Sequence, residues 1–263
     1  MELNVIEHAS DSAEVHPPLI IAHGLFGAAR NFNTLGRKLA VGRRVVLVDM
    51  PNHGESPWTD DVSYPAMAAA LGHLVETRCG GRAVVLGHSM GGKAAMALAL
   101  SRSDLLAGLI VADIAPVAYS HTHQPYIEAM LDMDLSKVTK RSDGDTMLAD
   151  VVAEPMLRAF LLQNLLVEDG MARWKLNLKA LRDEMPALIG WPEEMAAALF
   201  DGAAFFIYGG ASEYMGSDQK AAVQAQFPAA EFHEIPGAGH WLHAEQPGAF
   251  LSSVQKWLAR ANL

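Results

Sequence analysis

The segment Gly87-His88-Ser89-Met90-Gly91 carries the strongest sign of covalent chemistry in this chain. It follows the apolar run Ala83-Val84-Val85-Leu86 and leads into Gly92-Lys93-Ala94-Ala95-Met96-Ala97-Leu98. This reads as a strand, a sharp turn with serine at its tip, and a helix, the arrangement of a nucleophile elbow. The flanking glycines permit a tight turn and a close approach of strand to helix. The helix start directs its N–H groups and the positive end of its dipole at the serine. A Gly-rich turn with an idle serine shows the same five-residue pattern, but nothing requires it to lie between a buried strand and an Ala/Leu/Met-rich helix.

A serine hydroxyl is inert without a base. Of eleven histidines, His240 is best placed, in the Gly-rich loop Gly237-Ala238-Gly239-His240-Trp241-Leu242-His243 that follows the last strand and precedes the closing helix. From there it can accept the Ser89 proton and return it to a leaving group. His8, His16 and His73 read as surface positions, and His233 lies inside a late strand. The pairs His121/His123 and His240/His243 have no Cys or carboxylate at ligand spacing, so no metal site is expected. The developing oxyanion needs two amide donors. Met90, which follows the nucleophile, supplies one, and Leu25, after the early His23-Gly24 pair, supplies the other. The acid behind His240 stays open. Asp113 ends one strand, Glu213 follows another, and Asp218 is a weaker third choice because it reads as a helix cap.

The elements that must position these groups alternate. Strands are expected at 18–22, 44–48, 83–86, 109–112, 203–208 and 231–235. Helices are expected at Phe32–Leu39, Pro65–Arg78, the stretch after the elbow, Ser217–Phe227 and Pro247–Ala261. Short apolar strands alternating with helices predict a mostly parallel central sheet covered by helices on both faces. His23, Asp49, Ser89 and Asp113 then share its C-terminal edge, where such sheets form their sites. The rhythm breaks between Pro116 and Asp201. Helices are expected there at Pro125–Met133, Thr146–Val152, Pro155–Leu166, Ala172–Leu181 and Pro192–Phe200, and no strand. The chain therefore divides into an α/β core, 1–116 and 201–263, and an inserted helical cap, 117–200, acting as a lid over the site.

Composition narrows the function classes. The 263 residues are 51% hydrophobic and carry a formal net charge of −10. An acidic chain argues against nucleic acid and anionic membrane surfaces as partners. The single cysteine, Cys79, reads as a bystander and excludes an internal disulfide. The N-terminal stretch lacks the pattern of a secretion signal, and no apolar run reaches the length of a membrane span, so a cytoplasmic location is expected.

With elbow, histidine loop and insertion in place, the chain resembles the serine esterases of the α/β-hydrolase fold, in particular a group of bacterial esterases with eukaryotic relatives. The segments that carry the likeness are His23 to Gly27, Asp49 with Asn52-His53-Gly54, Gly87 to Lys93, Asp113 to Tyr119, Trp174 with Asn177, Ile189-Gly190-Trp191, Phe206-Ile207 with Gly209-Gly210, and Gly237 to Glu245. The Asp-Ile-Ala-Pro segment discriminates better than the elbow, which the whole superfamily shares. The order serine, acid, histidine is that of the fold. The resemblance implies a cofactor-free ester hydrolase acting on short acyl esters, with acyl-CoA thioesters as further substrates, and places the acid in Asp-Ile-Ala-Pro, at Asp113. Glu213 occupies the slot where many other members keep theirs. Phe26, Tyr119, Phe160, Trp174 and Trp241 are candidates for lining the acyl site. A carbon–carbon bond hydrolase or a cofactor-free haloperoxidase would use the same triad. Dehalogenases and epoxide hydrolases would carry Asp in place of Ser89, and a non-catalytic ligand-binding member would typically lack serine or base.

Overall fold

The computed structural model describes residues 1–120 and 122–263; His121, weighed above as a metal ligand, lies outside the described residues. The central sheet uses seven strands. These are β1 (Val5–His8), β2 (Leu19–Ala22), β3 (Val45–Val48), β4 (Ala83–His88), β5 (Leu106–Ala112), and, after the insertion, β8 (Ala204–Gly209) and β9 (Ala230–Ile235). Their spatial order is β1-β3-β2-β4-β5-β8-β9. Only β1 runs antiparallel, at the edge against β3. β1 has no clear sequence signal, because its three half-buried residues and exposed Glu7 give no alternation.

The inner strands are near-continuous apolar runs because both faces are covered. Successive residues point to opposite faces. Ile20, Val46, Val48, Val85, Val111 and Phe206 pack with helices α2 (Tyr64–Arg78) and α3 (Met90–Ser101) on one side. Leu19, Ile21, Val84, Leu86, Ile110 and Ile207 pack on the other with α1 (Asn33–Leu39) and the closing helix Pro247–Arg260, which contributes Phe250, Val254 and Trp257. Each buried aliphatic side chain contributes about 1.5–3 kcal/mol.

The insertion between β5 and β8 differs from its expected all-helical form. Its helices are α4 (Gln124–Leu131), α5 (Arg141–Leu148), α6 (Pro155–Leu162), α7 (Leu178–Asp183) and α8 (Met185–Ile189). Between α6 and α7 lies an antiparallel hairpin, β6 (Leu165–Glu168) and β7 (Met171–Trp174), where two helices were expected. Asp169 and Gly170 both take positive φ, +50° and +75°, at its two-residue turn. That is the conformation Asp-Gly favours in a hairpin, and strand pairing outweighs the helical propensity of the flanking Leu and Ala. The expected helix Pro192–Phe200 shrinks to one 3-10 turn at Glu193–Met195. No helix among the described residues is long and apolar enough to cross a membrane.

Candidate active site

The turn at Ser89 depends on two close backbone approaches. A Cβ on Gly87 would stand 2.1 Å from the Gly91 carbonyl oxygen, and one on Gly91 would stand 2.5 Å from the carbonyl oxygens of Ala22 and His23. Glycine is needed there for space, and the strained conformation falls on the serine itself, at φ +53° and ψ −118°. Strain of this kind is tolerated where the surroundings over-determine it, and it gathers at functional sites. Phe26 and Asp113 share it, at φ +62° and +55°.

β2 lies beside β4 in register Ala22↔Gly87, so the loop after β2 passes next to the serine. The Leu25 and Met90 amides flank this point, and among the described residues neither donates to a protein acceptor. The Phe26 peptide is held on both sides. Its N–H donates to His53 Nε2 at 3.2 Å, and its carbonyl accepts from Asn164 Nδ2 at 2.8 Å and from Gln163 Nε2 at 3.3 Å, both in the insertion. His53 Nδ1–H donates to the Pro51 carbonyl, and His23 joins the Gly24 carbonyl to the Met50 N–H. Both rings are neutral. Burial, with neighbouring His23, pushes His53 down to about 3, and burial also lowers His23. Asp49 fastens the far end of the loop. Burial would raise its pKa, but the Ala29 and Glu55 amides and the Asn4 side chain hold it low. Asn164→Ala, which removes a fully buried donor from the Phe26 carbonyl, is expected to cost about 1–3 kcal/mol in urea unfolding.

His240 sits on the loop after β9. Its Nε2 is 3.0 Å from Ser89 Oγ, and its Nδ1 is 2.7 Å from Asp113 Oδ2. The Tyr214 ring stacks on the imidazole at 3.9 Å between centroids, and His88 Nε2–H donates to the His240 carbonyl at 2.9 Å. Asp113 follows β5 and is 1% exposed. Its carboxylate also accepts the Gly209 N–H at 3.0 Å and the Ser212 hydroxyl. Ser89, His240 and Asp113 are therefore brought into one hydrogen-bonded line. Glu213 is not part of it; its exposed side chain stands at the rim of the cleft, and Asp218 is exposed in the first turn of Ser217–Gln226.

A cavity of about 660 Å³ lies over Ser89. The core supplies Leu25, Phe26, Tyr214 and Trp241 to its wall, and the insertion supplies Tyr119, Leu157 and Phe160. The Phe160 and Trp241 rings lie tilted to each other, 6.0 Å apart between centroids. Trp174, expected beside them, lies elsewhere. It is buried within the insertion, where its Nε1–H donates to the Met130 carbonyl. That position is set by the hairpin, which turns the side chain inward. Sequence reading missed Tyr214, Ser212, His88, Lys93 and Asn164. His88 and Lys93 flank the elbow and were legible as neighbours of the serine, whereas Asn164 carries no local signal.

Comparison with known proteins extends this picture. The model of the alpha/beta hydrolase family matches residues 19–253. The sn-1-specific diacylglycerol lipase ABHD11 of Danio rerio is 37% identical, over 92% of this chain and 78% of its own length. The esterase YbfF of Escherichia coli (strain K12) is 36% identical, over 98% of this chain and 99% of its own. Among solved structures, a marine microorganism esterase superimposes with a TM-score of 0.91 at 34% identity, covering 98% of this chain and 99% of that one.

Proposed function

We propose, from the premise that the chain belongs to the alpha/beta hydrolase family and is an ester hydrolase, that it acts through an acyl-enzyme on Ser89, with His240 as base and Asp113 as its orienting acid. The observation that carries this reading is the continuous line from Ser89 Oγ to His240 Nε2 at 3.0 Å and from His240 Nδ1 to Asp113 Oδ2 at 2.7 Å. His240 takes the serine proton as Oγ attacks the acyl carbonyl. The Leu25 and Met90 N–H groups meet the oxyanion, each such donor supplying about 3–4 kcal/mol of transition-state stabilisation. His240 then protonates the leaving group, and water, activated by the same imidazole, releases the acid. No cofactor takes part in these steps.

The substrates are carboxylic esters of short acyl groups, with acyl-CoA thioesters as a further class. The insertion serves as a cap: its residues complete the cavity wall, and its side chains at Gln163 and Asn164 tie it to the loop carrying Leu25. The test is turnover of p-nitrophenyl acetate and butyrate, with a burst of one p-nitrophenolate per chain at the first turnover. A protein that leaves both esters intact sinks the esterase mechanism.

A further inference from the structure

A second hollow begins at Ser89. It measures about 30 Å³ and is walled by Leu25, Met90, Tyr64, Tyr119 and Leu188, with Lys93 and His123 as the basic side chains among its described lining residues. A hollow of that size holds about two waters, the room that the carboxylate at the end of a short acyl chain takes. A long acyl tail does not fit, whereas the main cavity, at about 660 Å³, has room for a bulky leaving group.

Lys93 is an unusual residue to find there. It lies one helical turn beyond Ser89 on α3 and is 1% exposed. Its ammonium donates to the Ile189 carbonyl at 3.0 Å and to the Gly190 carbonyl, and it faces the rings of Tyr119 and Tyr64 at 4.9 and 5.5 Å. Two of its three N–H groups are thereby used, and every partner is neutral. Among the described residues no carboxylate lies within ion-pair distance of it. Burying an ammonium without a counter-charge is costly, and burial pushes its pKa down to about 7. A lysine serving only to tie α8 to α3 would gain from a carboxylate partner, which the fold does not provide.

We infer that the small hollow is the acyl subsite and that Lys93 selects acyl groups ending in a carboxylate, so that half-esters of short dicarboxylic acids, with one or two carbons between ester and carboxylate, are the favoured substrates. This rests on the acyl-enzyme reading above. The chemistry is unchanged: the bond from Ser89 Oγ to the acyl carbon replaces the bond to the leaving alcohol, which departs with the proton from His240. Water then yields the free diacid and restores Ser89. The terminal carboxylate takes no part beyond pairing with Lys93.

The experiment compares ethanol release from monoethyl succinate, diethyl succinate and ethyl butyrate by wild type and by Lys93→Met. Wild type is expected to favour the half-ester over both neutral esters by at least about tenfold in kcat/KM. Lys93→Met is expected to shift that ratio by about a hundredfold or more towards the neutral esters, as removal of one partner of a buried charge pair does. A wild type that prefers ethyl butyrate, or a variant that slows all three esters with the ratio unchanged, overturns the inference while leaving the esterase mechanism standing. A wild type inert on all three removes both. Should the variant fail to fold, inhibition of wild-type ethyl butyrate hydrolysis decides: succinamate is expected to inhibit at least about tenfold more tightly than butyramide, and equal inhibition overturns the proposal.

Discussion

Ser89→Ala is expected to lower kcat on p-nitrophenyl butyrate by about 10⁴-fold or more while leaving the thermal midpoint within about 2 °C of wild type. The two halves of this result have separate causes. The hydroxyl is the only atom removed, and its hydrogen bond in the described structure runs to His240 Nε2. Ser89 precedes α3 but makes no side-chain cap to it, so the helix loses nothing. Serine and alanine are equally strained at φ +53°, so the turn is neither relieved nor worsened. His240 stays fixed by Asp113, by the Tyr214 ring and by the bond from His88 to its carbonyl. In the proposed mechanism what disappears is the nucleophile and with it the acyl-enzyme, so the burst of p-nitrophenolate is expected to be lost as well. Slow residual hydrolysis by water is expected, because the Leu25 and Met90 amides still meet an oxyanion. Unchanged turnover in this variant would remove Ser89 from the mechanism altogether.

The elements that position this site were legible to different degrees, for physical reasons. β2, β3, β4, β5 and β8 are buried on both faces, so each reads as an unbroken apolar run bounded by turn residues. The serine loop follows such a strand and is readable with it, whereas the histidine loop follows the partly exposed β9 and is marked by its glycines, Gly237 and Gly239. The strand pattern leaves two candidates for the acid, because Asp113 and Glu213 each follow a strand; the resemblance favours Asp113, and the structure sets Asp113, not Glu213, against the Gly209 N–H and His240 Nδ1. The insertion was least legible. Its hairpin is held by pairing of Leu165 with Trp174 across a turn, a contact that local propensity does not register, although Asp169-Gly170 signalled the turn. Asn164 was beyond reach entirely, since its partner is the Phe26 carbonyl, more than a hundred residues earlier in the chain.

Strain and support are coupled at this site. Three non-glycine residues with positive φ, namely Phe26, Ser89 and Asp113, carry the oxyanion loop, the nucleophile and the acid of the proposed mechanism. Each is held by bonds from other elements: Phe26 by His53 and Asn164, Ser89 through its N–H to Ala112, and Asp113 through its N–H to Ile207 and its carboxylate to Gly209. The sheet register thus supports the strained conformations of Ser89 and Asp113, and buried side chains outside the sheet support that of Phe26.

Asp113→Asn is expected to lower kcat by about 10⁴-fold, and Glu213→Gln by less than about threefold. The size of the first effect follows from the bonds around the carboxylate. Gly209 N–H donates to Oδ1, so in the variant the amide oxygen must stay at that position. The amide nitrogen then occupies the place of Oδ2, facing His240 Nδ1 and the Ser212 hydroxyl. An NH₂ there donates, so Nδ1 must become an acceptor and the ring proton moves to Nε2. Nε2 then points an N–H at Ser89 and cannot accept its proton, so the base is present in the wrong tautomer. The geometry survives, because asparagine has the volume of aspartate and Ser212 can accept from the amide in place of donating. KM is therefore expected to change little against a large fall in kcat. Glu213 is exposed at the rim and outside this bonding, so its neutralisation leaves the tautomer of His240 untouched. Steady-state kinetics on p-nitrophenyl butyrate with the two variants side by side decides the matter, and a large loss in Glu213→Gln with near-normal Asp113→Asn would transfer the role of acid to Glu213.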